Sequence, residues 1–234
     1  VDWKDLAASL APFEIELGAD ALEKLRALRA LVAGANARLN LTRIIDEGEF
    51  VERHVLDSLL GLEGSPDAAS WVDVGSGGGF PGLAIAIARP RSSVLLVEAI
   101  QKKAAFLEEA AASLGLANVS VAAARAEDVA RERRERFERG AIRAVGSAAL
   151  CAEYLLPFLA VGGEAVLYRG PSGGDDEEAL ARSAAALLGG GEVRAREHVL
   201  PSGEKRRLLF VKKTAKTPPA YPRRTGVAAK RPLG

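Results

Sequence analysis

Through about the first 60 residues, apolar side chains recur at helical spacing. In "DALEKLRALRALVAGANARL", Leu22, Leu25, Leu28, Leu31 and Val32 fall on one stripe. "DEGEFVERHVLDSLLGL" repeats the pattern with Phe50, Val51, Val55, Leu59 and Leu60. Asp46 with Glu49 three residues on has the spacing of a capping box and predicts a helix start there. "EGSPDAAS" reads as a loop. From residue 71 the pattern changes to short apolar runs alternating with helical segments. Strands are predicted at 71–74, 94–98, 119–122, 141–145, 164–168, 192–199 and 206–212, and helices at 81–88, 102–114, 127–137, 149–158 and 175–188.

Strands separated by helices imply right-handed crossovers and a mostly parallel sheet. The last two strand runs have only "LPSGEKR" between them, which predicts an antiparallel C-terminal hairpin. "GPSGGDDEEAL" reads as a Gly-rich turn leading into an acidic helix start. The expected organisation is an N-terminal helical segment over 1–64 packed on the core, an α/β domain over 65–213, and a basic, Pro-rich tail over 214–234. Four prolines in the tail predict extended chain with little regular structure.

Composition narrows the chemistry. A single cysteine, Cys151, rules out a disulfide framework or a cysteine metal cluster, and with only His54 and His198 a histidine-rich metal site is out as well. Methionine is absent, so Val1 is not expected to be the first encoded residue. No apolar run reaches about 18 residues, so a cytoplasmic protein with no membrane partner is expected. The net charge is +1, but residues 201–234 hold 10 basic and 1 acidic side chains, against 7 basic and 12 acidic over 1–64. A basic end on a near-neutral body suggests a polyanionic partner. "RERRERFER" (131–139) mixes both signs and reads as a solvated helix face.

The densest signal is "WVDVGSGGGFPGLAIAI". From Asp73 it runs D-x-G-x-G-x-G through Gly75, Gly77 and Gly79, and from Gly77 it is also G-x-G-x-x-G, ending at Gly82. It follows a predicted strand and opens a predicted helix, which places main-chain N–H groups where a small ligand can reach them. The next strand ends at Glu98, about 20 residues on, where a carboxylate accepts hydrogen bonds from ribose hydroxyls. NAD and S-adenosylmethionine sites share this arrangement. Asp73 beside the glycines suits a cationic sulfonium with its ammonium group better than a pyrophosphate.

The chain resembles the RsmG family of bacterial 16S ribosomal RNA methyltransferases, also called glucose-inhibited division protein B. "NLTRI" (Asn40–Ile44), "HVLDSL" (His54–Leu59), the glycine loop, "ARAED" (Ala124–Asp128), "RAV" (Arg143–Val145), "LLPFLAVGGEAVLYRG" (Leu155–Gly170) and "TPPAYPRRTGVAAKRPL" (Thr217–Leu233) carry the resemblance. It implies a class I S-adenosylmethionine-dependent methyltransferase fold, with a seven-stranded Rossmann-like sheet. The implied activity is methylation at N7 of a guanosine in the 530 loop of 16S rRNA. Gly75, Gly77 and Phe80 would line the methionine part of the cofactor. Glu98, Ala99 and Ile100 would hold the ribose and one adenine edge, and Ala126 and Glu127 would meet the adenine. Arg143 would lie beside the cofactor and target base. Arg169 stands where the family commonly has lysine, and a guanidinium does not substitute freely for an ammonium.

Guanine N7 carries an in-plane lone pair, so attack on a methyl group requires no general base; proximity and alignment are expected to dominate. Asp57 is the candidate acceptor near the base. Arg125, Arg143 and Arg169 lie at or near predicted strand ends, on the ligand-binding edge of such a sheet, and with Arg206, Arg207, Arg223 and Arg224 they are the candidate RNA contacts. Tyr221 in the tail could stack on an exposed base. Cys151 is expected in the core, and His54 near the site but not catalytic. The partner is expected to be 16S rRNA or the small ribosomal subunit, met by a monomer with no obligate protein partner and no metal. Two other readings stay open on the residues alone: an S-adenosylmethionine enzyme acting on another RNA or a small molecule, and a NAD-binding module.

Overall fold

The computed structural model describes residues 1–67, 69–170 and 175–233. Strands β1 (Ser70–Val74), β2 (Ser93–Val97), β3 (Val119–Ala122), β4 (Phe137–Arg143), β5 (Leu159–Arg169), β6 (Gly190–Val199) and β7 (Lys205–Lys213) form one sheet in the order β3-β2-β1-β4-β5-β7-β6. The first five strands run parallel, and β7 runs antiparallel to both of its neighbours. The order reverses between β1 and β4, which opens a crevice at the carboxyl ends of those strands.

The helices are α1 (Leu6–Leu10), α2 (Ala19–Leu39), α3 (Glu47–Phe50), α4 (Asp57–Leu60), α5 (Gly82–Ala88), α6 (Gln101–Ser113), α7 (Ala126–Glu132), α8 (Ala148–Leu155), α9 (Asp175–Leu187) and α10 (Val227–Lys230). A π-helical turn, Val51–Leu56, joins α3 to α4. The Asp46 cap forms as its spacing predicts: Oδ1 accepts from the Glu49 N–H at 2.9 Å.

Alternation along the strands sends neighbours to opposite layers. Trp71, Val94 and Leu96 join the core made with α2, α5 and α6; Val72, Val74 and Val97 join the core made with α8 and α9. Leu25, Leu28 and Val32 of α2 are fully buried, each contributing on the order of 2 kcal/mol. The predicted stripe is therefore the docking face of the N-terminal segment, although Leu22 and Leu31 are only partly covered.

Several expectations need correction. The helix predicted over 127–137 stops at Glu132, and β4 starts at Phe137 rather than at 141. Phe137 packs edge-on against Phe158 at 6.1 Å, and Arg139 pairs with Glu164 on β5, so tertiary partners draw this charged run into the sheet. "RERRERFER" is thus a helix end, a turn and a strand, not one solvated helix face. β5 also starts earlier than predicted, at Leu159. The tail is irregular apart from α10, but it lies packed on the body, with Ala228 buried and Tyr221 and Leu233 against the α8–α9 core. The Gly-rich turn expected after Gly170 lies, over 171–174, outside the described residues.

Candidate functional site

The glycine loop leaves β1 through Gly75, whose φ of 75° and N–H bond to Val97 O (2.8 Å) fold it back on β2. Gly77, φ 53°, donates its N–H to Glu98 Oε2 at 2.9 Å, and Ile100 N–H donates to Glu98 Oε1 at 2.7 Å. Glu98 therefore sets the loop against the start of α6 from a buried position. Each of its oxygens keeps a second lone pair. Asp73 lies beneath the loop, not in the crevice: it is 1% exposed, and its Oδ2 accepts from Gly82 N–H at 3.0 Å. Burial pushes its pKa up to about 6, and Oδ1 is buried without a partner. The expected contact between this carboxylate and a cationic ligand is not prepared by an open face.

A crevice of about 200 Å³ follows the loop. Among the candidates, Gly75, Glu98, Ala99, Ile100, Ala126 and Glu127 line it, and so does Arg125. Val145 and Tyr154, which sequence reasoning passed over, also line it. Ile100 leaves 46% of its surface open, an apolar face available to a flat ring. Free main-chain geometry, a carboxylate one strand over and an apolar slot suit a nucleoside with an amino-acid arm. Gly77 and Phe80 border this region without lining the crevice.

A second cavity, about 530 Å³, opens beside it and is lined by His54, Asp57, Arg143, Tyr168, Arg169 and Arg206 among others. Phe80 stacks on His54, centroids 4.8 Å apart at 13°, and the Arg143 guanidinium lies 5.8 Å from the Phe80 ring centroid. Arg143 is held on three sides: Nη1 donates to Arg53 O and Asp57 Oδ2, both at 3.0 Å, and Nη2 donates to His54 Nδ1 at 3.1 Å. A guanidinium only donates, so Nδ1 accepts and Nε2 carries the proton, which it donates to Thr42 Oγ1 at 2.7 Å. Burial, then Arg143 and Arg53, pull the His54 pKa down to about 3, leaving a neutral ring. Asp57, expected as an acceptor for the base, faces Arg143 and, at 3.5 Å, Arg206.

The cavity thus gathers Arg143, Arg169, Arg206 and Asp57. Arg169 donates to Gly146 O at 2.6 Å and pairs with Glu177 at 2.7 Å. Arg207, Arg223 and Arg224 line neither space: Arg207 pairs with Glu178, Arg223 pairs with buried Glu153, and Arg224 is exposed. Cys151 is buried, and its thiol pKa rises to about 11 through desolvation. Among the described residues, no cluster of His, Cys, Asp and Glu could hold a metal ion, and no helix is long and apolar enough to cross a membrane.

One segment walls both spaces. Val145 faces the crevice, while Arg143, Ala144 and Gly146 face the cavity. The chain achieves this with Ala144 at φ 60° and Gly146 at φ 104°. A left-handed alanine is a strained conformation that persists only where surroundings impose it. Nothing in "RAVGSA" announces it.

A family model described as rRNA small subunit methyltransferase G matches residues 21–204. Similar proteins include the ribosomal RNA small subunit methyltransferase G of Synechococcus elongatus, 49% identical over 87% of this chain and 86% of that protein. The protein of the same name in Moorella thermoacetica is 42% identical over 98% and 95%. Among solved structures, an O-methyltransferase from Bacillus cereus in complex with SAH superposes with a TM-score of 0.57 at 17% identity, covering 80% of this chain and 91% of that one. The O-methyltransferase TomG from Streptomyces achromogenes, in complex with SAM, gives 0.56 at 17%, covering 80% and 90%. Identities this low speak for the fold alone, which is that of class I methyltransferases.

Proposed function

The chain belongs to the rRNA small subunit methyltransferase G family, and from that premise we propose that it methylates N7 of a guanosine in the 530 loop of 16S rRNA. S-Adenosylmethionine supplies the electrophilic methyl group. Glu98, while holding Gly77 and Ile100, accepts from the ribose hydroxyls with its remaining lone pairs. Ile100, Tyr154, Ala126 and Glu127 enclose the adenine. The loop from Gly75 to Phe80 borders the methionine arm.

The observation that carries the reading is the shared wall from Arg143 to Gly146, with a nucleoside-sized crevice on one side and a wider, arginine-rich cavity on the other. A purine entering the cavity meets Arg143 and Phe80 at the boundary. His54 is neutral and its ring nitrogens are already engaged, so it takes no proton from the substrate. N7 offers none to take. The chain's own contribution is to fix two partners at one wall and keep the arginine at that wall from moving.

The test is tritium transfer from labelled S-adenosylmethionine to naked 16S rRNA, to 30S particles and to protein. Label on RNA, with strand scission at one guanosine after borohydride and aniline treatment, is the expected result. Label confined to small metabolites, or on RNA without that scission, rejects the assignment.

A further inference from the structure

The tail is tied to the two helices that build the adenine end of the crevice. Glu153 on α8 is 0% exposed, a carboxylate buried within an apolar helix. Its cationic partner is Arg223 of the tail, whose Nε donates to Oε1 at 2.7 Å and whose main-chain N–H donates to the same oxygen at 3.3 Å. Three residues on, Gly226 donates its N–H to Glu127 Oε1 at 2.8 Å, and Thr225 Oγ1 donates to Asp128 at 2.8 Å. Glu127 lines the crevice, and so does Tyr154, which follows Glu153.

Residues of α7 and its following turn hold the tail from the other direction. Arg131 donates to Arg223 O at 2.9 Å, Arg134 donates to Tyr221 O at 2.6 Å, and Glu135 accepts from Thr217 N–H at 2.8 Å. α7 is only two turns long and ends against this tail. α7 packs on α8 through Val129 and Ala130, and the tail adds a polar bridge between the two helices.

We propose that the segment Arg223–Gly226 is a strap that sets the width of the adenine end of the cofactor crevice, with Arg223 as its positioning residue. This rests on the cofactor site assigned under Proposed function. The strap holds Glu127 through one oxygen and Tyr154 through the neighbouring Glu153, so its two ties end on two different helices that line one slot. It gives Arg223 a task inside the protein, distinct from contact with RNA phosphate. By linkage, a strap that favours the bound ligand must itself be steadied by that ligand.

Removing Arg223 alone would strand a buried charge on Glu153 and risk unfolding. The test therefore uses the double variant Glu153→Gln with Arg223→Met, and separately Arg223→Lys, each with its melting temperature measured. Calorimetry with S-adenosylhomocysteine should show the double variant binding about tenfold more weakly. The lysine variant should fall between it and the unaltered protein. RNA affinity and its salt dependence should stay as in the unaltered protein. In the unaltered protein, hydrogen exchange over residues 217–231 should slow when S-adenosylhomocysteine is added. Unchanged ligand affinity in a folded double variant, or exchange indifferent to ligand, overturns the strap. Loss of RNA affinity with ligand affinity intact overturns it too and returns Arg223 to the RNA contacts. If the unaltered protein binds no S-adenosylhomocysteine, the cofactor assignment itself falls, and the strap with it.

Discussion

Arg143 and His54 are joined by a 3.1 Å hydrogen bond that only the neutral imidazole permits. Protonating the ring would place two cations in contact and break the bond. The His54 pKa is accordingly lowered from 6.5 to about 3, with burial the largest cause and Arg143 the next. The unfolded chain takes up a proton between those values and the folded chain does not. The stability His54 contributes is full above 6.5 and is lost as pH falls toward 3. Asp73 acts in the opposite sense: its pKa is raised from 3.8 to about 6, so its contribution is full below 3.8 and is lost as pH rises through 6. In a proton NMR titration from roughly pH 8 to pH 5 the His54 ring signals should not move, while Arg143→Gln should bring its midpoint upward into view. A midpoint near 6.5 in the unaltered protein contradicts the arrangement.

Asp57 carries the other half of this grip, with one oxygen on Arg143 and the second near Arg206. Asp57→Asn leaves two guanidiniums facing a neutral amide in a half-buried cavity. The expected cost is about 3 kcal/mol in chemical denaturation. Methyl transfer should fall further than the folded fraction does, because Arg143 loses its orientation. S-Adenosylhomocysteine affinity should change little.

Glu98 accepts from two main-chain N–H groups and stands at the crevice. Glu98→Gln keeps one acceptor but turns a donor toward either Gly77 or Ile100. Cofactor affinity by calorimetry should drop by about 2 kcal/mol, the range for a lost charged hydrogen bond. An unchanged affinity would remove Glu98 from the ribose contact.

Gly82 is a glycine of the loop region where a side chain has nowhere to go. A Cβ there would overlap Leu96 and the Asp73 carboxylate. Gly82→Ala should lower stability by about 2 kcal/mol through overpacking, read as a shift in denaturant midpoint.

Arg224 is the exposed neighbour of Arg223 in the tail. Arg224→Gln should weaken RNA binding and reduce the slope of log affinity against log salt by about one. An unaltered slope removes it from the RNA surface.

Short apolar runs made the strand centres legible, because a buried parallel strand needs little beyond them. The loop and Glu98 were legible for the same local reason: each signal lies within one strand-turn-helix unit. What stayed hidden depends on distant partners. Phe137 reads as helix within a run of Arg and Glu, and it is strand through its packing on Phe158 and the pairing of nearby Arg139 with Glu164. Val145 and Tyr154 become crevice walls because separate segments meet there. Glu153 did carry a signal: a lone carboxylate in "AALCAEYL" has to find a cation once buried. Its partner, 70 positions on, had no local mark.

The order of the strands also bears on how the protein is made. β7 sits between β5 and β6, so both of its neighbours leave the ribosome before it does. Until residue 213 emerges, β5 presents a bare hydrogen-bonding edge and β6 has nothing to pair with. The nascent protein therefore passes through a stage of its synthesis with an open sheet, the interval in which aggregation and chaperone capture compete with closure.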